Sequence, residues 1–247
     1  MTTLKHYFKR IFTHPLNLLI LIGLPIGILI INILVMQAFQ ADIGVVIEGY
    51  DMQATIMVVI ITIMFAFFNM SLAYDFPFDD FRTARRWRLL AAPVSLTQYL
   101  VSNAFVGFVF SMLTSVILVA VGVLAFNAYL PNVFVLTAVV FVFSIFSQLV
   151  GILLYLLCPK KANAEALVFA IVFGLFILSG QFMFPVDLGS VGNFIFGRST
   201  PNALAVNALF NLVGDNMSQA LTYLGFLCIY PVVMAIVVFI VSRRRPF

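Results

Sequence analysis

Few side chains in this 247-residue chain are equipped for covalent chemistry. The two histidines, His6 and His14, lie near the start with no cysteine or carboxylate cluster beside them, so no metal site is expected. His14 precedes Pro15 at the edge of a long apolar run and reads as an interfacial residue. No G-x-x-x-x-G-K-[ST] loop occurs to cradle a phosphate, and no H-E-x-x-H occurs to hold a zinc ion. Cys158 and Cys228 fall at a helix end and near a helix middle, at depths too different for a disulfide. Asp75, Asp79 and Asp80 are the one acidic group, and their spacing suits helix capping or a partner contact at least as well as acid–base work. No catalytic residue, metal or cofactor is therefore assigned to this chain.

The elements that carry these groups follow from composition. Apolar residues make up 64% of the chain and charged residues 9%, far below the quarter or so charged in a soluble domain. Such a chain needs lipid as its solvent. Six runs are long enough to cross a bilayer at about 1.5 Å per residue: 16–40, 52–75, 97–126, 132–157, 164–184 and 219–242. They predict an all-α polytopic membrane protein forming one transmembrane domain over 1–247, with no cleavable signal peptide. Pro25 and Pro231 fall inside the first and last runs and should kink rather than end them.

The charges set the orientation. Lys5, Lys9 and Arg10 precede the first run; Arg82, Arg85, Arg86 and Arg88 separate runs two and three; Lys160 and Lys161 separate four and five; Arg243, Arg244 and Arg245 follow six. Alternation of six helices puts these twelve of the thirteen basic residues on one side, and only Arg198 on the other, with Asp42, Glu48, Asp51, Asp187 and Asp215. The positive-inside rule makes the basic side, and both termini, cytoplasmic. The net charge of +4 needs no nucleic acid to explain it.

Inside the runs the polar residues include Asn32, Gln37, Asn69, Asn103, Gln148 and Gln181. They suit hydrogen bonding between helices; alternatively Asn32, Asn69, Asn103, Gln148 and Gln181 line a substrate path. No ionisable group lies at depth, and no inverted repeat is visible. Both would be usual in an ion-coupled secondary transporter. If the chain transports, its energy enters from a partner on the basic side.

Two amphipathic elements lie on that side. Leu4, Tyr7, Phe8, Ile11 and Phe12 share one helical face, with Lys5, Lys9 and Arg10 on the other, as in an interfacial helix. In the loop 79–92, Asp79 or Asp80 is expected to cap a short helix N-terminus. Ala84, Trp87 and Ala91 share one face with Leu90 beside it, Arg82, Arg85 and Arg86 lie opposite, and Pro93 ends the helix. Across the membrane, 185–217 holds two apolar stretches, Val191–Phe196 and Ala203–Val213, too short to span and read as re-entrant helices.

The run from Asp80 through Leu89-Leu90, Pro93-Val94-Ser95 resembles the cytoplasmic loop of ABC type-2 transporter permeases, with Ala84 where glycine is usual. Ser179-Gly180, Phe184-Pro185 and Pro201-Asn202-Ala203-Leu204 are similar to that family's end of span five and outer segment, although the family's Asn-Pro order is reversed. The resemblance implies the membrane subunit of an exporter in a bacterial cell membrane, paired with a second permease chain and surrounded by lipids. Two ABC ATPase subunits would hold ATP and magnesium on the cytoplasmic side. It casts 79–92 as a coupling helix, with Asp79, Asp80, Arg82, Arg85, Arg86, Trp87 and Leu90 as coupling residues. The N-terminal helix (Lys5, Tyr7, Phe8, Ile11, Phe12) would lie beside the same interface. The uncharged spans and 28 phenylalanines suggest an antimicrobial peptide or lipophilic drug as cargo, with polysaccharide less favoured. The rivals are a secondary transporter or channel working without an ATPase, and a membrane enzyme or assembly factor.

Overall fold

The computed structural model describes residues 10–12, 18–39, 46–47, 49–82, 96–180 and 189–244. Within them, six helices are long and apolar enough to cross a membrane: Leu19–Ala38, Met52–Phe81, Thr97–Phe126, Val133–Leu157, Lys161–Leu178 and Met217–Arg243. They are called spans one to six. Among the described residues the only strands are Val46–Ile47 and Tyr50–Asp51, a short antiparallel hairpin whose turn uses Gly49 at φ 87°.

Polar side chains at the ends fix where the helices start and stop. Asp51 begins span two by accepting from the Ala54 amide at 3.0 Å, and also accepts from Gln37 Nε2 of span one at 2.8 Å. Asn132 opens span four by accepting from the amides of Phe134 and Val135. Asn127, in the left-handed region at φ 52°, closes span three, and its carbonyl accepts from the Asp51 amide. These contacts knit one end of the bundle. Arg10, Arg82, Lys161 and Arg243 lie toward the other end, the basic face.

Span two is the hub. It packs against spans one, three, four and five and the helix Pro201–Val213. Of its most apolar window 72% is buried, against 6% for span six. Side chains such as Leu124, Phe134, Val232 and Phe239 are exposed on the bundle's outside, where hydrocarbon is the matching solvent.

The hub helix is broken at Asn69–Met70, between the segments Met52–Phe68 and Ser71–Phe81. There the amides of Met70, Leu72 and Ala73 turn to the carbonyls three residues back, a tighter turn than the α-helix. Ala66 O loses its usual amide there, and it and two further carbonyls around the break accept from side chains of neighbouring helices, the condition for broken backbone inside a membrane. Ala66 O accepts from Ser147 Oγ at 2.8 Å and Ser111 Oγ at 3.4 Å; Asn69 O accepts from Gln148 Nε2 at 3.0 Å; Leu72 O accepts from Asn103 Nδ2 at 2.6 Å. Span four comes this close because residue 151 is glycine: a Cβ there would lie 2.3 Å from Met70 O.

Hydropathy alone ends span two at Asp75. The helix instead continues to Phe81, with Pro77 inside it. Proline costs one amide donor, but the three acids that follow Ala73 are held from outside the helix, as described next.

Candidate functional site

The last turns of span two form a charged node at the basic face. Arg10 Nη1 donates to both carboxylate oxygens of Asp80, at 3.1 and 3.0 Å, and Arg10 Nη2 lies 3.7 Å from Asp79. The Tyr99 hydroxyl, at the start of span three, donates to the same Asp80 carboxylate. Lys161, the first residue of span five, lies 3.5 Å from Asp75 and 3.4 Å from Asp79. Arg82 donates to the Pro159 carbonyl in the turn between spans four and five, and its guanidinium lies over the rings of Phe78 and Tyr155. Thus the point where the loop 83–95 departs is tied to the N-terminal segment, to span three and to the turn before span five.

This geometry corrects the capping expectation. Asp79 and Asp80 sit in the final turn of a helix rather than at an N-terminus. A helix C-terminus disfavours acids, and Arg10 and Lys161 supply the compensating charge. Asp80 is 9% exposed, so its carboxylate serves the node. Arg10 is the residue that sequence patterning misses: periodicity places it on a solvated, topogenic face. The signal is an unmatched cation near the N-terminus and a surplus of acids ending span two. The guanidinium also lies 4.4 Å from the centre of the Phe76 ring.

Of the N-terminal residues, Ile11 is fully buried, and Phe12 is exposed while packing against Phe110 at 5.6 Å between ring centres. Lys5, Tyr7, Phe8, Arg85, Arg86, Trp87, Leu90 and Gln181 lie outside the described residues.

The polar residues of the spans divide into two groups. Asn69, Asn103 and Gln148 are buried around the break in span two. Asn69 Nδ2, Asn103 Oδ1 and Gln148 Oε1 have no partner among the described residues. Gly107 leaves the space that Gln148 occupies, since a Cβ there would lie 2.2 Å from Gln148 Oε1. Asn32 has a different place: it donates to Ile28 O at 2.8 Å and lines a cavity of about 640 Å³ in the half of the bundle away from the basic face. Spans one, two and five and the helix Pro201–Val213 wall this cavity, with Met36, Met57, Met64, Phe173 and Phe210 among its sides.

The segment before span six folds into Gly189–Phe194, a π-helical turn Ile195–Ser199 and the helix Pro201–Val213. Thr200 is extended and Pro201 takes the first helical position, where its missing amide costs nothing. Asn202 Nδ2 donates to Ser179 Oγ at 3.1 Å and Leu175 O at 3.2 Å. Two sequence motifs some twenty residues apart, Ser179-Gly180 and Pro201-Asn202, therefore meet in space. Their meeting lies below the end of span five, so the segment dips into the bundle.

A family model described as ABC-2 family transporter protein matches residues 47–240. No curated protein and no solved structure matches the chain.

Proposed function

This chain belongs to the ABC-2 family of transporter proteins, and from that premise we propose that it is the membrane subunit of an ATP-driven exporter of amphipathic or hydrophobic cargo. The observation that carries the reading is the charged node. ATPase subunits bound at the basic face would grip the loop 79–92 through Arg85, Arg86, Trp87 and Leu90. A displacement of that loop would act first on Asp79, Asp80 and Arg82. Through Arg10, Tyr99, Lys161 and Pro159 it would then reach the N-terminal segment, span three and the turn before span five. The basic face is cytoplasmic in this scheme, as are both termini, in a bacterial cell membrane.

Span two would carry the movement upward. Its break gives it a place to bend, and three polar atoms around the break without a partner among the described residues leave room for another hydrogen-bond arrangement. Beyond the break lies the cavity, apolar except for Asn32, with methionines that fit differently shaped guests. These features support a lipophilic drug or an antimicrobial peptide as cargo. Spans one and five flank the cavity with only 17% and 22% of their most apolar windows buried, which supports a second permease chain closing it.

Gentle purification of the chain tests this reading. A cytoplasmic ATPase should accompany it, and Arg85→Glu or Trp87→Ala should release that ATPase or abolish cargo-stimulated ATP hydrolysis. Recovery of the chain alone, or normal coupling in both variants, would refute it.

A further inference from the structure

Arg198 is the one basic residue that sequence alternation places away from the basic face. It lies in the last turn of the π-helical segment Ile195–Ser199 and is exposed, with no ion pair or hydrogen bond to its guanidinium among the described residues. The neighbouring Ser199 carbonyl accepts from the Tyr230 hydroxyl. Tyr230 packs edge-on against Phe146 of span four at 5.8 Å, and Phe146 lies near the middle of Val133–Leu157. Tyr230 is itself near the middle of Met217–Arg243. Gly197, beside it, approaches the Ser179 carbonyl at the end of span five, so the guanidinium departs from a backbone between that end and the middle of the bundle, within the leaflet opposite the basic face, where a long side chain reaches the polar interface.

Beside it runs a groove of about 610 Å³ between the re-entrant segment and span six. Its walls include Phe194, Phe226, Ile229 and Val233, all more than half exposed on the outside of the bundle. One cation above a hydrocarbon trough complements one kind of molecule: an amphiphile with an anionic head and an acyl tail.

We propose that this groove binds an anionic phospholipid of the leaflet opposite the basic face. Arg198 holds the phosphate, and an acyl chain lies along Phe194, Phe226, Ile229 and Val233. The lipid thereby clamps the re-entrant segment to span six, alongside the Tyr230–Ser199 hydrogen bond. The proposal is independent of cargo and of the ATPase.

The test uses the full chain in nanodiscs, with Trp87→Phe removing the native tryptophan and Phe226→Trp placing a reporter in the groove. Dibrominated phosphatidylglycerol is titrated against dibrominated phosphatidylcholine, and quenching is read. Phosphatidylglycerol should bind about fivefold more tightly, the worth of one cation at an anionic lipid. Arg198→Gln should abolish that preference and Arg198→Lys should keep it. Tyr223→Trp serves as a second reporter should Phe226→Trp fail to fold. Equal quenching by the two lipids, or a preference unchanged in Arg198→Gln, would overturn the proposal.

Discussion

Replacing Gly151 with alanine should damage this protein more than the same change at Gly107 or Gly174. The added Cβ would lie 2.3 Å from the Met70 carbonyl oxygen and 2.8 Å from Ala73 Cβ. Ordinary contact begins near 3.4 Å, so spans two and four must part by roughly an ångström, and neither obstacle is a flexible side-chain end. Overpacking of this kind costs about 1–3 kcal/mol. The separation also stretches the bonds from Ser147 to Ala66 O and from Gln148 to Asn69 O, worth about 0.6 kcal/mol each. The sum is about 3 kcal/mol, or about 6–12 °C in Tm for a chain of this size. Gly107→Ala meets only the tip of Gln148, which can swing away and forfeit its bond to Asn69 O, so about 1 kcal/mol is expected. Gly174→Ala meets nothing within 4 Å and should be neutral or up to about 1 kcal/mol stabilising through helix propensity. Thermal unfolding in detergent, read by intrinsic fluorescence, gives the three values. Equal stability of the Gly151 and Gly174 variants, or a Gly107 variant weaker than the Gly151 one, would refute the account of the broken hub.

Three further outcomes follow from the same structure. Arg10→Ala and Asp80→Ala should each cost about 3 kcal/mol, because each removes one partner of a largely buried ion pair. The double variant should cost at least about 1 kcal/mol less than their sum, measured as a thermal double-mutant cycle. Asn202→Asp replaces an amide donor with an acceptor facing Leu175 O, and should lower Tm further than Asn202→Ser does. Met57→Trp partly fills the cavity behind spans one and five, and should lower cargo-stimulated ATP hydrolysis severalfold while leaving the basal rate; an unchanged cargo response would place the path elsewhere.

The helical architecture is readable because lipid imposes it: long apolar runs and one-sided charge are demanded by the solvent itself. The end of span two is not. Hydropathy falls at Asp75, and nothing local reveals that Arg10 and Lys161, 65 and 86 residues away in sequence, neutralise the acids and let the helix continue. The break at Asn69–Met70 is hidden for the same reason, since the carbonyls around it are bonded by Ser111, Asn103, Ser147 and Gln148 on other helices. Asn69, Asn103 and Gln148 stand out as polar residues in apolar runs. Sequence offers two uses for them; in the fold they are buried around the break, where Asn103 and Gln148 donate to span-two carbonyls. Asn32, equally polar in an apolar run, faces a cavity. The meeting of Ser179 with Asn202 is visible in sequence only as two motifs without a spatial relation.

Movement driven from the basic face by a separate ATPase is the central claim. Efflux of a lipophilic dye from proteoliposomes tests it most directly. With the chain and its co-purified ATPase, efflux should require ATP, should persist after ion gradients are collapsed, and should vanish in Arg85→Glu. Efflux by the chain alone down an imposed proton or sodium gradient, indifferent to ATP, would contradict the claim.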